Sequence, residues 1–291
     1  MIVRPVPSTI NSNHLTTQPH AKVTLIQVEK DLLLERISKI QWCHSIDLGN
    51  GVTTPGLSKT KPLTDHELPD LEGKSVLDIG AWDGLNAFLA EKKGASRVVA
   101  LDHYAWGVDM FARNRYWQES KEQGKFPDYR LDETTFWNDA LPGKAGFELA
   151  HEALSSKVES VLGDFMKIDP NQVGMFDVVL FLGVLYHLRE PLTALERVRA
   201  LTKGVAVIET SAISVPGAED SGLLRFYAAD ELDGDYGNYF GASASALAGM
   251  ARAAGFSRTE IKVGPPPQPR RRFGAPECKP LVYRLVMHAY V

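Results

Sequence analysis

The run Val76-Leu77-Asp78-Ile79-Gly80-Ala81-Trp82-Asp83-Gly84 sets a carboxylate and two glycines where a short apolar strand hands over to a helix. Gly80 lets the chain turn sharply beside a ligand, and Gly84 lets the helix start close to the sheet. Asp78 is placed to pair with a cationic amino-acid group. Trp82 stands where such turns commonly have glycine, so the loop departs from the Gly-x-Gly-x-Gly form. About 18 residues beyond Gly84 a second strand ends in Leu101-Asp102-His103, and a carboxylate there suits the two hydroxyls of a ribose. A third strand ends in Gly163-Asp164-Phe165, where Asp164 can accept from an exocyclic amine and Phe165 can lie on a ring face. A fourth leads into Gly183-Val184-Leu185-Tyr186-His187-Leu188. Tyr186 reads as a pocket wall. His187 reads either as a base for an attacking hydroxyl or as a structural histidine bonded to backbone, since imidazole titrates near working pH.

Positioning these groups requires strands that end together. Apolar segments 75–79, 97–101, 158–162, 176–182 and 204–209 alternate with helical patterns over 85–93, 144–157 and 191–201, the last opening on Pro191. Unbroken apolar strands between helices predict a parallel sheet covered on both faces. A helix over 243–254 closed by Gly255, then strands 259–263 and 281–289, completes the pattern. Upstream, 26–42 has the periodicity of an amphipathic helix, and 44–56 is polar and turn-rich. The expected organisation is a loose arm over 1–25, a helical extension and lead-in over 26–73, and one domain over 74–291.

Two segments interrupt the alternation, 104–143 and 211–242, and both follow carboxyl ends of strands, where open α/β sheets bind ligands. The first has nine aromatics among its 40 residues, including Trp106, Trp117 and Trp137, which either stack on a substrate ring or form a subsidiary core. Its net charge of -2, from five basic and seven acidic residues, would repel a phosphate backbone. The second segment clusters Asp230, Glu231, Asp233 and Asp235, which fit either a divalent cation such as magnesium or a solvated loop. Arg270-Arg271-Arg272 is an anion-binding candidate or a solvated hairpin tip.

Composition sets the bounds. The chain has 291 residues, 44% hydrophobic and with net charge -4, which excludes collagenous, mucin-like and wholly disordered chains. Two cysteines, Cys43 and Cys278, cannot form a disulfide framework and predict reduced thiols in a cytoplasmic protein. Nothing approaches the ~20 apolar residues that span a bilayer, and the first residues lack a signal-peptide core.

Taken together, these motifs resemble the class I S-adenosylmethionine (SAM) methyltransferases, and within them the tRNA wobble-uridine (carboxy)methyltransferase-like family. The narrower resemblance rests on GVLYHLREPLTAL at 183–195, Val207-Ile208-Glu209-Thr210, Asn238-Tyr239-Phe240, Ser245-Ala246-Leu247 and Ala254-Gly255-Phe256, with 44–56 aligning loosely with that family's substrate-side lead-in. It implies a Rossmann-like seven-stranded sheet, mostly parallel with an antiparallel last strand, and SAM as cofactor. The SAM-binding candidates are Asp78, Gly80, Trp82, Gly84, Asp102, His103, Asp164, Phe165, Gly183 and Tyr186. His44, Trp106, Trp117, Trp137, Glu209 and Tyr239 are the candidates facing substrate. The carboxymethylating members place a lysine just before the lead-in, whereas this chain reads Ile40-Gln41-Trp42-Cys43-His44, so ordinary SAM is expected as donor. The acidic balance and aromatic insertion favour a hydroxylated small molecule or saccharide as acceptor over tRNA. A fold that binds SAM without catalysis is the third reading.

Overall fold

Residues 19–58, 61–218, 220–266 and 280–291 are described in a computed structural model of the chain. The chain divides into two units, Met1–Lys39 and Ile40–Val291. The described part of the first is one helix, α1 (Pro19–Ser38). It starts earlier than the periodicity predicts, taking in residues 19–25 of the expected arm, and ends before Trp42. At its end Lys39 pairs with Glu35 at 2.7 Å, one helical turn back.

The second unit runs β1 (Ser75–Ile79), α2 (Leu85–Lys92), β2 (Arg97–Asp102), α3 (Tyr104–Gly107), α4 (Met110–Glu122), α5 (Ala145–Leu154), β3 (Glu159–Leu162), α6 (Pro170–Val173), β4 (Phe176–Leu182), α7 (Pro191–Leu201) and β5 (Thr202–Ser214). This is the expected alternation with three unexpected helices, α3 and α4 in the first insertion and the short α6. After them come β6 (Leu224–Phe226), β7 (Phe240–Ala242), α8 (Ala244–Ala253), β8 (Arg258–Val263) and β9 (Leu281–Tyr290). Pro191 occupies the first turn of α7, where a missing N–H costs nothing. Ser243 caps α8 by accepting from the Ala246 N–H, and Gly255 just beyond its end takes φ +98°.

Strands β1, β2, β3, β4 and β5 are mutually parallel in the order β3-β2-β1-β4-β5, and β9 runs antiparallel along β5 with β8 outside it. The chain leaves β1 toward β2 and returns to its other side as β4, so the carboxyl ends of β1 and β4 frame the crevice. Leu77, Phe181, Leu195, Val198, Ile208, Leu247 and Leu285 are packed in one core that joins the sheet to α7 and α8. The antiparallel final strand agrees with expectation. The count does not: the sheet has nine strands among the described residues, not seven. The additional pair, β6 and β7, lies within the segment read as an insertion. Strand β5 itself continues past Glu209 to Ser214, and β7 takes up the edge that β4 leaves there, at Ala212↔Ala242.

The first insertion is ordered around a buried charge. Arg113, 5% exposed, lies 3.5 Å above the Trp117 ring and donates from Nε to Asp132 Oδ2 at 3.3 Å. Tyr104 donates its hydroxyl to the same oxygen at 2.6 Å. Removing one member of such a pair strands the other charge away from water. Arg113→Met should therefore lower unfolding free energy by about 3 kcal/mol in a denaturant titration, and adding Asp132→Leu should recover most of it. A single variant as stable as the parent would show that this pair does not hold the insertion.

Candidate active site

The turn after β1 keeps its left-handed geometry despite Trp82. Gly80, Trp82 and Gly84 have φ of +76°, +47° and +87°. A Cβ on Gly80 would sit 2.6 Å from Val184, and one on Gly84 would sit 2.6 and 2.7 Å from Phe88 and Phe147. Trp82 is an uncommon residue for this region. Both of its backbone polar groups are held: its N–H donates to Asp102 at 2.8 Å and its carbonyl accepts from the Trp106 indole at 2.6 Å. Trp106 is fully buried in that role, so it props the turn and does not face a substrate.

Asp78, at the end of β1, is 1% exposed and its Oδ2 has no hydrogen-bond partner. Burial pushes its pKa up to about 7; the His44 charge opposes this, and Asp102 and Asp83 add to it. Asp102, at the end of β2, is likewise pushed up by burial, to about 6, although the Trp82 and Ala105 amides both donate to it.

Asp83 was not singled out in the sequence, yet its carboxylate ties the lead-in to this turn. It is 1% exposed and accepts from the Cys43 N–H at 2.9 Å, the His44 N–H at 2.7 Å and His44 Nδ1. Burial alone would lower the His44 pKa, but the bonds to Asp83 and Cys43 and their charges raise it to about 10. His44 is therefore an imidazolium at neutral pH. The lead-in also has more order than its polarity implies: Ile46, Leu48 and Val52 are buried and Asp47 bridges Thr53. Their apolar spacing was the overlooked signal.

Beyond β2 and β3 the candidates divide. His103 stacks on Trp137 with centroids 4.5 Å apart, which places Trp137 beside the end of β2 and next to Asp102. Trp117 lies under Arg113 and is 6% exposed, so it belongs to the subsidiary core. Phe165 is 7% exposed and meets Phe181 edge-on in the main core, so its ring is packed there instead of lying open to a ligand. Asp164 pairs with Lys167 at 3.0 Å and accepts from the Met166 N–H.

Beyond β4, Gly183 takes φ +72°, and a Cβ on it would lie 3.7 Å from both Glu209 Oε2 and the Tyr186 hydroxyl. Burial and the Glu209 charge hold the Tyr186 phenol well above its ordinary pKa, so it stays neutral. Glu209, 7% exposed, lies 3.1 Å from Arg284 Nε, and Arg284 also donates to Glu67. His187 Nδ1 donates to the Gly237 carbonyl at 2.9 Å, and the Tyr239 N–H donates to the Tyr186 carbonyl at 2.8 Å. These two bonds join the turn after β4 to the second insertion. Arg189, two residues on, also escaped the sequence reading; it stacks on Tyr129 at 3.4 Å and on Tyr239 at 4.8 Å.

The acidic cluster has other employment. Asp230 pairs with Lys121, Glu231 accepts from the Ala228 and Ala229 amides, and Asp235 accepts from the Gly237 N–H. Among the described residues no three His, Cys, Asp or Glu side chains converge on a metal position. Arg270, Arg271, Arg272 and Cys278 lie outside the described residues. No described helix is long and apolar enough to cross a membrane.

A family profile described as a methyltransferase domain matches residues 59–261. The chain belongs to that family. It is a SAM-dependent methyltransferase. No curated protein matches the sequence significantly. Among solved structures, the methyltransferase is similar to the N-terminal domain of EvdMO1 with SAH bound, at TM-score 0.57 and 15% identity over 90% of this chain and 96% of that one. The same domain in the presence of SAH and D-fucose aligns at 0.52 and 15%, with the same coverage. Against whole EvdMO1 the values are 0.51 and 16%, and the chain spans 47% of that length. At such identities what is shared is the fold.

The methyltransferase's own residues fit SAM. The unpartnered Asp78 oxygen can accept from the ammonium of the donor's amino-acid end, and Asp102 retains lone pairs for a ribose diol. Gly183, at φ +72°, turns the chain away at the carboxyl end of β4, beside Glu209 and Tyr186.

The His44–Asp83 pair carries a pH signature. A histidine whose folded pKa is raised from 6.5 to about 10 stabilises the fold fully below pH 6.5 and loses that contribution as pH rises toward 10. The thermal midpoint should therefore fall across that window, and Asp83→Asn should lower the midpoint and flatten the fall. Identical profiles for parent and variant would dismiss the ion pair.

Proposed function

We propose that this methyltransferase acts on a hydroxyl of a small molecule, saccharides included, with His187 as general base. The observation that carries this is the bond from His187 Nδ1 to the Gly237 carbonyl. A carbonyl only accepts, so Nδ1 holds the proton and Nε2 presents its lone pair. His187 lies in the turn beyond the carboxyl end of β4, and burial holds its imidazole below the ordinary histidine pKa, which favours the neutral form a base needs. His44 cannot serve in its place at neutral pH, because Asp83 keeps it protonated.

SAM supplies, when bound, an electrophilic methyl group on a sulfonium, an intrinsically good leaving group. The protein's task is then alignment and removal of one proton. Asp78 and Asp102 hold the donor's ammonium and ribose ends, and the neutral Tyr186 walls the space in front of Glu209. His187 Nε2 takes the proton of the acceptor hydroxyl as its oxygen becomes nucleophilic. The saccharide end of the reading draws on the ring-rich, acidic insertion and on the neighbour crystallised in the presence of D-fucose.

A tRNA wobble uridine is the competing acceptor, supported by the resemblance of residues 183–195 and opposed by the negative charge of the 104–143 segment. Incubation of cell extract with labelled SAM, followed by separation of tRNA from small molecules, distinguishes the two. Label is expected in the small-molecule fraction, and label in tRNA would overturn the reading. His187→Ala should reduce turnover by about 10²–10⁴-fold while SAM affinity persists. Unchanged turnover would leave His187 a structural residue.

A further inference from the structure

Two residues beyond His187, Arg189 joins Phe126, Phe226, Tyr239 and Phe240 in lining an open cleft of about 350 Å³. A second recess of about 320 Å³, formed by residues 126–130 with Arg189, adjoins it through the shared Phe126 and Arg189. Apart from Arg189, the first cleft is lined entirely by aromatic rings, and two of them are unusually open: Phe126 is 47% exposed and Phe226 58%. Rings left this bare at a crevice mouth are contact area that a flat ligand can cover.

The guanidinium of Arg189 is fixed by its faces. It lies 3.4 Å from the Tyr129 ring centroid and 4.8 Å from that of Tyr239, and one N–H reaches the Tyr239 hydroxyl at 3.3 Å. Among the described residues it forms no ion pair. Asp128, the carboxylate in the adjoining recess, gives both oxygens to Arg130, at 2.8 and 2.7 Å, and interacts with Arg189 only through a weaker charge attraction without contact. A stacked guanidinium keeps its edge donors, and that edge matches a carboxylate with two parallel hydrogen bonds. Arg189 is two residues from His187, and both side chains reach the same 237–239 strip, His187 at the Gly237 carbonyl and Arg189 at the Tyr239 hydroxyl.

We infer that this cleft is the acceptor subsite and that the acceptor is a hydroxylated ring bearing a carboxylate, held edge-on by Arg189 while its face lies on the aromatic wall. This rests on the small-molecule reading above and specifies its substrate class. Both aromatic hydroxy acids and sugar acids have this chemistry.

The test is a calorimetric titration of the full-length, SAH-loaded protein with two matched pairs: 4-hydroxybenzoate against 4-hydroxybenzamide, and D-glucuronate against D-glucose. At least one acid should bind about ten-fold or more tighter than its neutral partner, and the pair that discriminates identifies the ring type. Arg189→Gln should reduce the acid to the affinity of its neutral partner, and Arg189→Lys should restore only part of the difference, while SAH affinity stays unchanged. Equal binding of acid and neutral probe by the parent would overturn the inference without any variant, as would full retention of acid binding in Arg189→Gln. Probe binding that depends on Arg189, in a protein that methylates only tRNA, would keep the anion subsite and sink the small-molecule reading. Methyl transfer to neutral small molecules without discrimination would do the reverse.

Discussion

The carboxylate of Asp83 has to be satisfied inside the protein, and the arrangement of the crevice follows from how this is done. A buried carboxylate without partners costs several kcal/mol, so the chain must bring donors to it. It brings them from 39 and 40 residues upstream: the amides of Cys43 and His44 and the His44 ring. Because Asp83 lies on the turn that follows β1, that convergence fastens the lead-in to the loop between β1 and α2. It also places one imidazolium among three buried carboxylates, those of Asp78, Asp83 and Asp102. The surplus of negative charge leaves the pocket short of cations, which is the electrostatic complement of a donor carrying a sulfonium and an ammonium.

The parallel half of the sheet was legible because its signals are local. Continuous apolar runs mark β1, β4 and β5, a proline opens α7, a serine caps α8 and a glycine closes it. Gly80 and Gly84 were readable for the same reason, since a left-handed turn needs residues without a Cβ. The site's second layer was not local. The bond from Trp106 to the Trp82 carbonyl spans 24 residues, and nothing in a list of aromatics says which ring will be a prop and which a wall. Trp106 and Trp117 therefore looked like ligand platforms, and folding made them core. Phe165 was drawn inward by Phe181 in the same way.

Arg189 and Tyr129 illustrate the opposite failure. Each looks like an ordinary exposed residue in sequence, and only the return of the first insertion over the turn after β4 makes them a pair. The hairpin β6–β7 was missed because each strand has three residues, below the length at which alternation can be recognised. The two insertions thus supply the wall around His187, while the regular elements supply the floor.

The attachment of that hairpin has a consequence of its own. Strand β5 is zipped to β9 through ten register pairs, from Val205↔Tyr290 to Ser214↔Leu281, but it meets β7 at the single pair Ala212↔Ala242. The hairpin therefore joins the sheet edge by one pair, and its remaining hold comes from the Tyr239 N–H on the Tyr186 carbonyl, from Ser243 on Leu223, and from the burial of Tyr227 and Ala242. The turn that carries His187 and the hairpin are thereby one mechanical piece, because the bonds of His187 to Gly237 and of Tyr239 to Tyr186 tie them directly.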